Sequence, residues 1–332
     1  MKSKIQENIY QKIYQRELNK IERRLNKLLS KRKPRSLYEP CEYSITGGGK
    51  RIRPFLVLIS AKAVGGKFNQ VYNAAIAVEL FHNFTLVHDD IMDNSDLRRG
   101  RLTVHKKFDI STAILTGDNL IALAYDNLLK DCQSNIKKIV SVFTKGIIEV
   151  CEGQSLDKEF ELRNNVTIDE YKIMIYKKTA ALTQMCCSIG ARICNADKNF
   201  INIVENYGKN LGMAFQIQDD LLDIIGDEKK FGKKIGSDLI EGKKTYLFLK
   251  ALEKSDGLDK KRLLRVIKNK GILPEEVNLY KTIYDKYNIL EDAKNEIIYY
   301  SNLALKNLTK LPDKEGSQLM SWLVNLLVGR KK

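Results

Sequence analysis

A chain of 332 residues with 43% hydrophobic content carries enough apolar surface to bury one large core or two small ones, and it is expected to fold on its own. Its 57 Lys and Arg against 41 Asp and Glu leave +16, which favours polyanionic partners such as nucleic acid, anionic lipid headgroups or phosphorylated substrates without choosing among them. No run approaches the roughly 18 apolar residues of a membrane-spanning helix, and the opening Met1-Lys2-Ser3-Lys4 has no apolar signal core, so a soluble, cytoplasmic protein is predicted. Six cysteines include the adjacent Cys186 and Cys187 but no CxxC, which points to buried free thiols rather than disulfides or zinc.

In chain order, residues 1–36 form a basic segment with Ile5, Ile13, Ile21, Leu25 and Leu28 at helical intervals, predicting an amphipathic helix with a solvated face. Gly47-Gly48-Gly49-Lys50-Arg51-Ile52-Arg53-Pro54 follows. Three glycines free the backbone to turn, and cations arrive where a helix begins, an arrangement suited to anions. The GxxxxGK[ST] spacing is absent, which disfavours nucleotide hydrolysis. No proline occurs from residue 55 to 273, so long helices are expected across two-thirds of the chain. No alternating run is long enough to build a sheet, and an all-α bundle in a single domain, 1–332, is predicted.

Val71 to Met92 reads as an apolar helix that nevertheless carries Asp89-Asp90-Ile91-Met92-Asp93. Like charges at i and i+4 repel, so Asp89 and Asp93 on one helix face call for a cation. The helix from Ile201 to Ile225 repeats the pattern as Asp219-Asp220-Leu221-Leu222-Asp223, and Gly208 and Gly212 there allow another helix to approach closely. Two such helices facing one another would supply the hard oxygen ligands that magnesium uses to bridge carboxylates to phosphate. Arg98, Arg99 and Arg101 follow the first motif as phosphate-binding candidates. Residues 226–244, with four glycines and six lysines, read as a mobile basic loop that closes over a bound anion and excludes water.

GGGKRIRP, HDDIMDNSDLRRG, the KKT of Lys177 to Thr179, FQIQDDLLDIIGD and GKKIGSDLIEGKKT stand in the order and spacing of the trans-isoprenyl diphosphate synthases, which the chain resembles from about Ser44 onward. The resemblance is to the archaeal-type geranylgeranyl and farnesyl diphosphate synthases. It implies an all-α isoprenoid-synthase-type bundle around a deep central cavity, and a homodimer. The implied reaction condenses isopentenyl diphosphate with an allylic diphosphate, passing through an allylic cation that alkylates the isopentenyl double bond before a proton is lost.

By the same resemblance Asp89, Asp93 and Asp219 are ligands of three magnesium ions, with Asp90 and Asp223 in support. Lys50, Arg53, His82 and Arg99 correspond to the isopentenyl diphosphate site. Arg98, Lys178, Lys233 and Lys243 correspond to the cations of the allylic diphosphate, although Lys234 also fits the role given to Lys233. Thr179 and Gln216 face the reacting carbons. Phe84, five residues before Asp89, lies about 7–8 Å along the helix and would act as a floor for the growing chain, next to the smaller Thr85. This combination implies a C20 product, with C15 or longer chains as alternatives. A class I terpene cyclase lacks the glycine-rich isopentenyl motif, and a basic scaffold for nucleic acid leaves six carboxylates in apolar helices unexplained. Leu319, Trp322, Leu323 and Leu326 form an amphipathic C-terminal face, read as a packed helix or a transient membrane contact.

Overall fold

A computed structural model of the chain describes residues 2–226 and 235–328. The described residues are built almost wholly from α-helices, as the sequence predicts. They divide into two compact units, Met1–Phe143 with Cys186–Val204 and Leu308–Trp322, and Thr144–Met185 with Glu205–Asn307 and Leu323–Lys332. None of the described helices is long and apolar enough to cross a membrane.

In the first unit, α1 (Lys2–Leu29) buries Tyr10, Tyr14, Ile21, Leu25 and Leu29 at spacings that repeat every turn or two, leaving its basic residues outside. The N-terminal basic segment is therefore two helices, because a second, α2 (Arg35–Ile45), begins at its end. Then come α3 (Ile52–Ala63) and α4 (Tyr72–Met92), and α3 packs on α4. Nine of the twelve residues of α3 are buried, which is the all-round apolar character of a core helix. The longest packing in the unit runs between α4 and α6 (Ile110–Asp131). Asp109 starts α6 by accepting the Thr112 amide at 2.8 Å, satisfying one of the helix's open N–H groups. Gly117 lets α6 close on α4, since a Cβ there would lie 2.2 Å from His88 Nε2.

The stretch after the first acidic motif is a small antiparallel hairpin, β1 (Leu97–Arg98) and β2 (Arg101–Leu102), where no sheet was expected. Arg99 and Gly100 both have positive φ, 54° and 74°, as a two-residue hairpin turn of the favoured hand requires. Arg98 and Arg101 thus become cross-strand partners with Arg99 at the tip. A short α5 (Val104–Lys107) follows.

The second unit holds the C-terminal part of α7 (Ile136–Leu162), α8 (Ile168–Ile175) and a π-helical turn over Tyr176–Ala180 that leads into α9 (Ala181–Ile193). It continues with the part of α10 (Lys198–Ile225) from Glu205 onward, α11 (Ser237–Ile240), α12 (Tyr246–Lys254), α13 (Gly257–Asn269), α14 (Val277–Lys286) and α15 (Ile289–Leu305). Their shared core includes Tyr171, Ile217, Leu247, Phe248, Leu263 and Tyr284. Thr167 and Glu170 form a reciprocal cap that starts α8, each side chain taking the other residue's amide.

The C-terminal helix α16 (Lys314–Val328) buries Leu319, Trp322 and Leu323. Within the first unit the Trp322 ring lies 5.7 Å from Tyr14 and 6.4 Å from Phe55. That face is committed to packing and is not available to a membrane. Four cysteines are buried as expected, but Cys151 is exposed and Cys194 half-buried.

Gly208 and Gly212 meet the predicted close approach. A Cβ on Gly212 would stand 2.5 Å from the Ala180 Cα, and one on Gly208 2.6 Å from the Thr183 carbonyl oxygen. Gly212→Val is expected to cost about 1–3 kcal/mol by overpacking, read as a lower urea midpoint at unchanged m-value.

Candidate active site

The two acidic motifs share one internal logic. In each, the middle acid is buried and neutralised by the protein: Asp90 is 3% and Asp220 5% exposed. Asp90 takes a fork from Arg98, whose Nε donates to Oδ1 at 2.7 Å and to Oδ2 at 2.9 Å while Nη2 lies 2.7 Å from Oδ1. Asp220 accepts from the Tyr171 hydroxyl, from the Tyr246 amide at 3.0 Å and from Gln216 Nε2 at 3.1 Å. Burial pushes its carboxyl up to about 6 against the lowering effect of those donors. Asp89 and Asp219 are partly exposed and Asp93 is exposed, so the acids one helical turn apart on α4 face outward.

Asp90, grouped with the metal ligands by the sequence, here orients Arg98, and Arg98 is already held by a carboxylate. Asp223 accepts from the Ser237 hydroxyl at 2.6 Å and the Asp238 amide at 3.1 Å, pinning the chain as it re-enters α11. Among the described residues no three His, Cys, Asp or Glu side chains are gathered into a metal cluster. The donor set nevertheless suits magnesium: Asp89 and Asp93 present hard carboxylate oxygens at the end of a helix, of the kind that holds the ion together with substrate phosphate.

Around the glycine turn the first unit concentrates cations. Gly48 and Gly49 have φ of 76° and 139°, which bends the chain so that Arg99 donates to the Gly48 carbonyl. A Cβ on Gly49 would stand 2.8 Å from Arg99 Nη1. Arg51 is withdrawn from any ligand: buried at 3% exposure, it binds Glu22 at 2.7 Å, Glu79 at 2.6 Å and the Ile45 carbonyl at 2.6 Å. Arg53 Nη1 lies 3.0 Å from His82 Nε2, and since guanidinium only donates, Nε2 accepts and the imidazole proton sits on Nδ1. Burial, and then Arg53, Arg99, Arg98 and Arg51, hold His82 well below the usual histidine range and keep it neutral. A small open cleft of about 40 Å3 here is lined in part by Tyr43, Gly47, Asp90, Arg98, Arg99 and Arg101. The Arg101 guanidinium and the Lys107 ammonium lie 4.2 and 3.9 Å from the Tyr43 ring centre. Lys50 is exposed beside this turn, its carbonyl accepting from Tyr14.

In the second unit the KKT sequence occupies the π-helical turn, a local widening that frequently marks functional positions. Thr179 Oγ1 donates to Gln216 Oε1 at 2.9 Å, bringing together the pair predicted to face the reacting carbons. The order of donors is determinate: Asp220 accepts Nε2 of Gln216, so Oε1 turns to Thr179. Lys178 Nζ pairs with Asp157 at 2.5 Å, while Lys177 is engaged by Glu149 and Glu152. Lys243 pairs with Glu241 at 2.6 Å and lies 3.8 Å from Asp238. Lys233 and Lys234 lie outside the described residues, as does the stretch 227–234 of the predicted loop from 226 to 244. Arg51, Asp157, Tyr171 and the structural use of Asp220 were missed by the motifs, because each is defined by a partner between 21 and 49 residues away.

The polyprenyl synthetase family model matches residues 34–286. The chain belongs to the polyprenyl synthetase family. A geranylgeranyl diphosphate synthase of Sulfolobus acidocaldarius is 40% identical over 302 residues, 89% of this chain and 91% of that protein. A short chain isoprenyl diphosphate synthase of Methanothermobacter thermautotrophicus is 36% identical over 93% of this chain and 94% of its own. The crystal structure of geranylgeranyl pyrophosphate synthetase from Pyrococcus horikoshii superposes with a TM-score of 0.88 at 36% identity, covering 100% of both chains.

For this polyprenyl synthetase the neutral His82 carries a pH signature. The unfolded chain takes up an imidazole proton below about pH 6.5, which the folded state refuses, so the contribution is fully present above that pH and is lost as pH falls. The thermal midpoint is expected to drop more steeply between about pH 7.5 and about 5.5 in the natural protein than in His82→Gln, as read by circular dichroism.

Proposed function

We propose that the chain is a trans-prenyltransferase that condenses isopentenyl diphosphate with dimethylallyl, geranyl or farnesyl diphosphate, releases diphosphate, and makes geranylgeranyl diphosphate. The observation that carries this reading is the arginine-rich surrounding of a neutral His82, set beside a motif whose middle acid is buried on Arg98 while its outer acids, Asp89 and Asp93, reach the surface.

In this reading Lys50, Arg53, His82 and Arg99 bind the isopentenyl diphosphate. Arg53 and Arg99 supply fixed positive charge, and the neutral imidazole keeps Arg53 oriented without adding to the repulsion. Arg98, Lys178 and Lys243 hold the allylic diphosphate, with Lys233 in the same role outside the described residues. Asp89 and Asp93 hold magnesium, as does Asp219, with Asp90 and Asp223 acting as positioning residues. Held by these carboxylates, magnesium would supply positive charge for the departing diphosphate. Thr179 and Gln216 offer oxygen dipoles to the carbons where positive charge develops, and their orientation is set in advance by Asp220.

The whole of 1–332 is proposed to act as one domain, since each compact unit is assembled from three separate segments and neither can be cut out as a continuous stretch. A homodimer is supported by the exposed apolar residues Ile110, Ile114 and Leu115 at the start of α6. The protein is proposed to work in the cytoplasm on small diphosphates, with no nucleic-acid partner.

Incubation with labelled isopentenyl diphosphate and C5, C10 or C15 starters, with magnesium or with chelator, is expected to yield C20 only when magnesium is present. No elongation from any starter would sink the proposal. Product length is proposed to be set at Phe84, whose ring is 5.9 Å from Phe81 and 4.6 Å from His88, with Thr85 next to it bonded back to the His82 carbonyl at 2.8 Å. Phe84→Ala is expected to shift the product spectrum beyond C20, resolved by reversed-phase chromatography; an unchanged spectrum would remove Phe84 as the floor.

A further inference from the structure

Helix α7 carries a buried carboxamide that the fold does not use. Gln154 is 8% exposed, and neither its Nε2 nor its Oε1 has a hydrogen-bond partner among the described residues. A primary amide brings two donors and an acceptor, and burying all of them unmade is costly enough that native proteins rarely retain such a group without a use for it. An apolar side chain of the same length would serve packing better.

Its position indicates the use. Gly153, the residue before it, lets α7 lie against the backbone of the KKT turn, since a Cβ there would stand 2.2 Å from the Lys178 nitrogen. Asp157 lies three residues on, on the same side of the helix, and takes Lys178 Nζ at 2.5 Å. The Asp157 charge also reaches Lys243 and Tyr171. The Gln154–Asp157 side of α7 is thus turned toward two of the lysines assigned above to the allylic diphosphate.

We propose that Gln154 is a further substrate-contacting residue, whose amide holds the reacting head of the allylic diphosphate. Nε2 donates to a diphosphate oxygen beside Lys178, and Oε1 turns its carbonyl dipole toward the first carbon of the prenyl chain, where positive charge grows as the C–O bond breaks. This assignment rests on the prenyltransferase reading given above. It accounts for the open amide: its partner is the substrate, and the free protein carries the cost of leaving it unmade.

Gln154→Met, of similar length and apolar, separates the two uses an amide can have. The thermal midpoint of the ligand-free protein is expected to hold or rise. The kcat/KM for geranyl diphosphate, with magnesium and saturating isopentenyl diphosphate, is expected to fall at least about tenfold, while KM for isopentenyl diphosphate stays within about twofold. A midpoint that falls in step with activity would show a structural amide and overturn the proposal, as would a kcat/KM kept within about twofold at any midpoint. Should Gln154→Met not fold, Gln154→Glu, equal in shape but acceptor-only, is expected to raise KM for geranyl diphosphate about tenfold or more, and an unchanged KM overturns the proposal equally. Failure of the natural protein to elongate any starter would instead sink the prenyltransferase reading, so the two failures are told apart.

Discussion

Carboxylates placed in apolar helices must be neutralised, and how each is neutralised divides the labour of the site. Asp90 and Asp220 point inward, where an uncompensated charge would be prohibitive, and each is met by fixed donors of the protein. Those partnerships spend the middle acid of each motif on orientation. Asp90 aims Arg98. Asp220 aims Gln216, and through it Thr179. Asp89 and Asp93, one turn apart and nearer the surface, carry like charges that repel one another. A motif that reads as three equivalent acids is, in the folded chain, one internal strut flanked by acids turned outward.

The cationic side of the first unit follows the same economy. Arg51, in the middle of the glycine-rich motif, is the most buried of its cations and the least available, because Glu22, Glu79 and the Ile45 carbonyl consume its guanidinium. That ion-pair network anchors the start of α3 to α1 and α4, and the turn in front of it can then hold Arg99 against Gly48. Charge brought this close works against itself, and His82 registers it: burial first, and then the charges of Arg53, Arg99, Arg98 and Arg51, keep its imidazole neutral. An anion entering the cleft would relieve the repulsion, so the positive charge held ready is also a source of binding energy.

Much of this was legible in the chain itself. The long proline-free interval announced helices, the apolar periodicity placed α4 and α10 within a few residues, and the two DDxxD sequences with their flanking glycines and cations pointed to the family. Gly208 and Gly212 were read correctly as points of close approach. The hairpin at Leu97–Leu102 was not foreseen, because two residues per strand carry no periodicity and the turn depends on Arg99 accepting a positive φ. The amphipathic C-terminal face was ambiguous for a related reason: the pattern says that one side is apolar, not what covers it, and only the packing of Trp322 against Tyr14 and Phe55 answers that.

By itself the sequence determined what acts locally: where helices run, which acids share a helix face, where glycine frees the backbone, and the family to which those motifs belong. These follow from dihedral preference and spacing, which reach only a few residues along the chain. The tertiary structure alone decided which member of each motif turns inward, which lysine meets Asp157, why Arg51 is a buried strut while Arg99 sits exposed on the Gly48 carbonyl, and that the Gln154 amide finds no partner among the described residues. Those are properties of pairs brought together across tens of residues, where hydrogen-bond valence and desolvation, rather than periodicity, choose the partner.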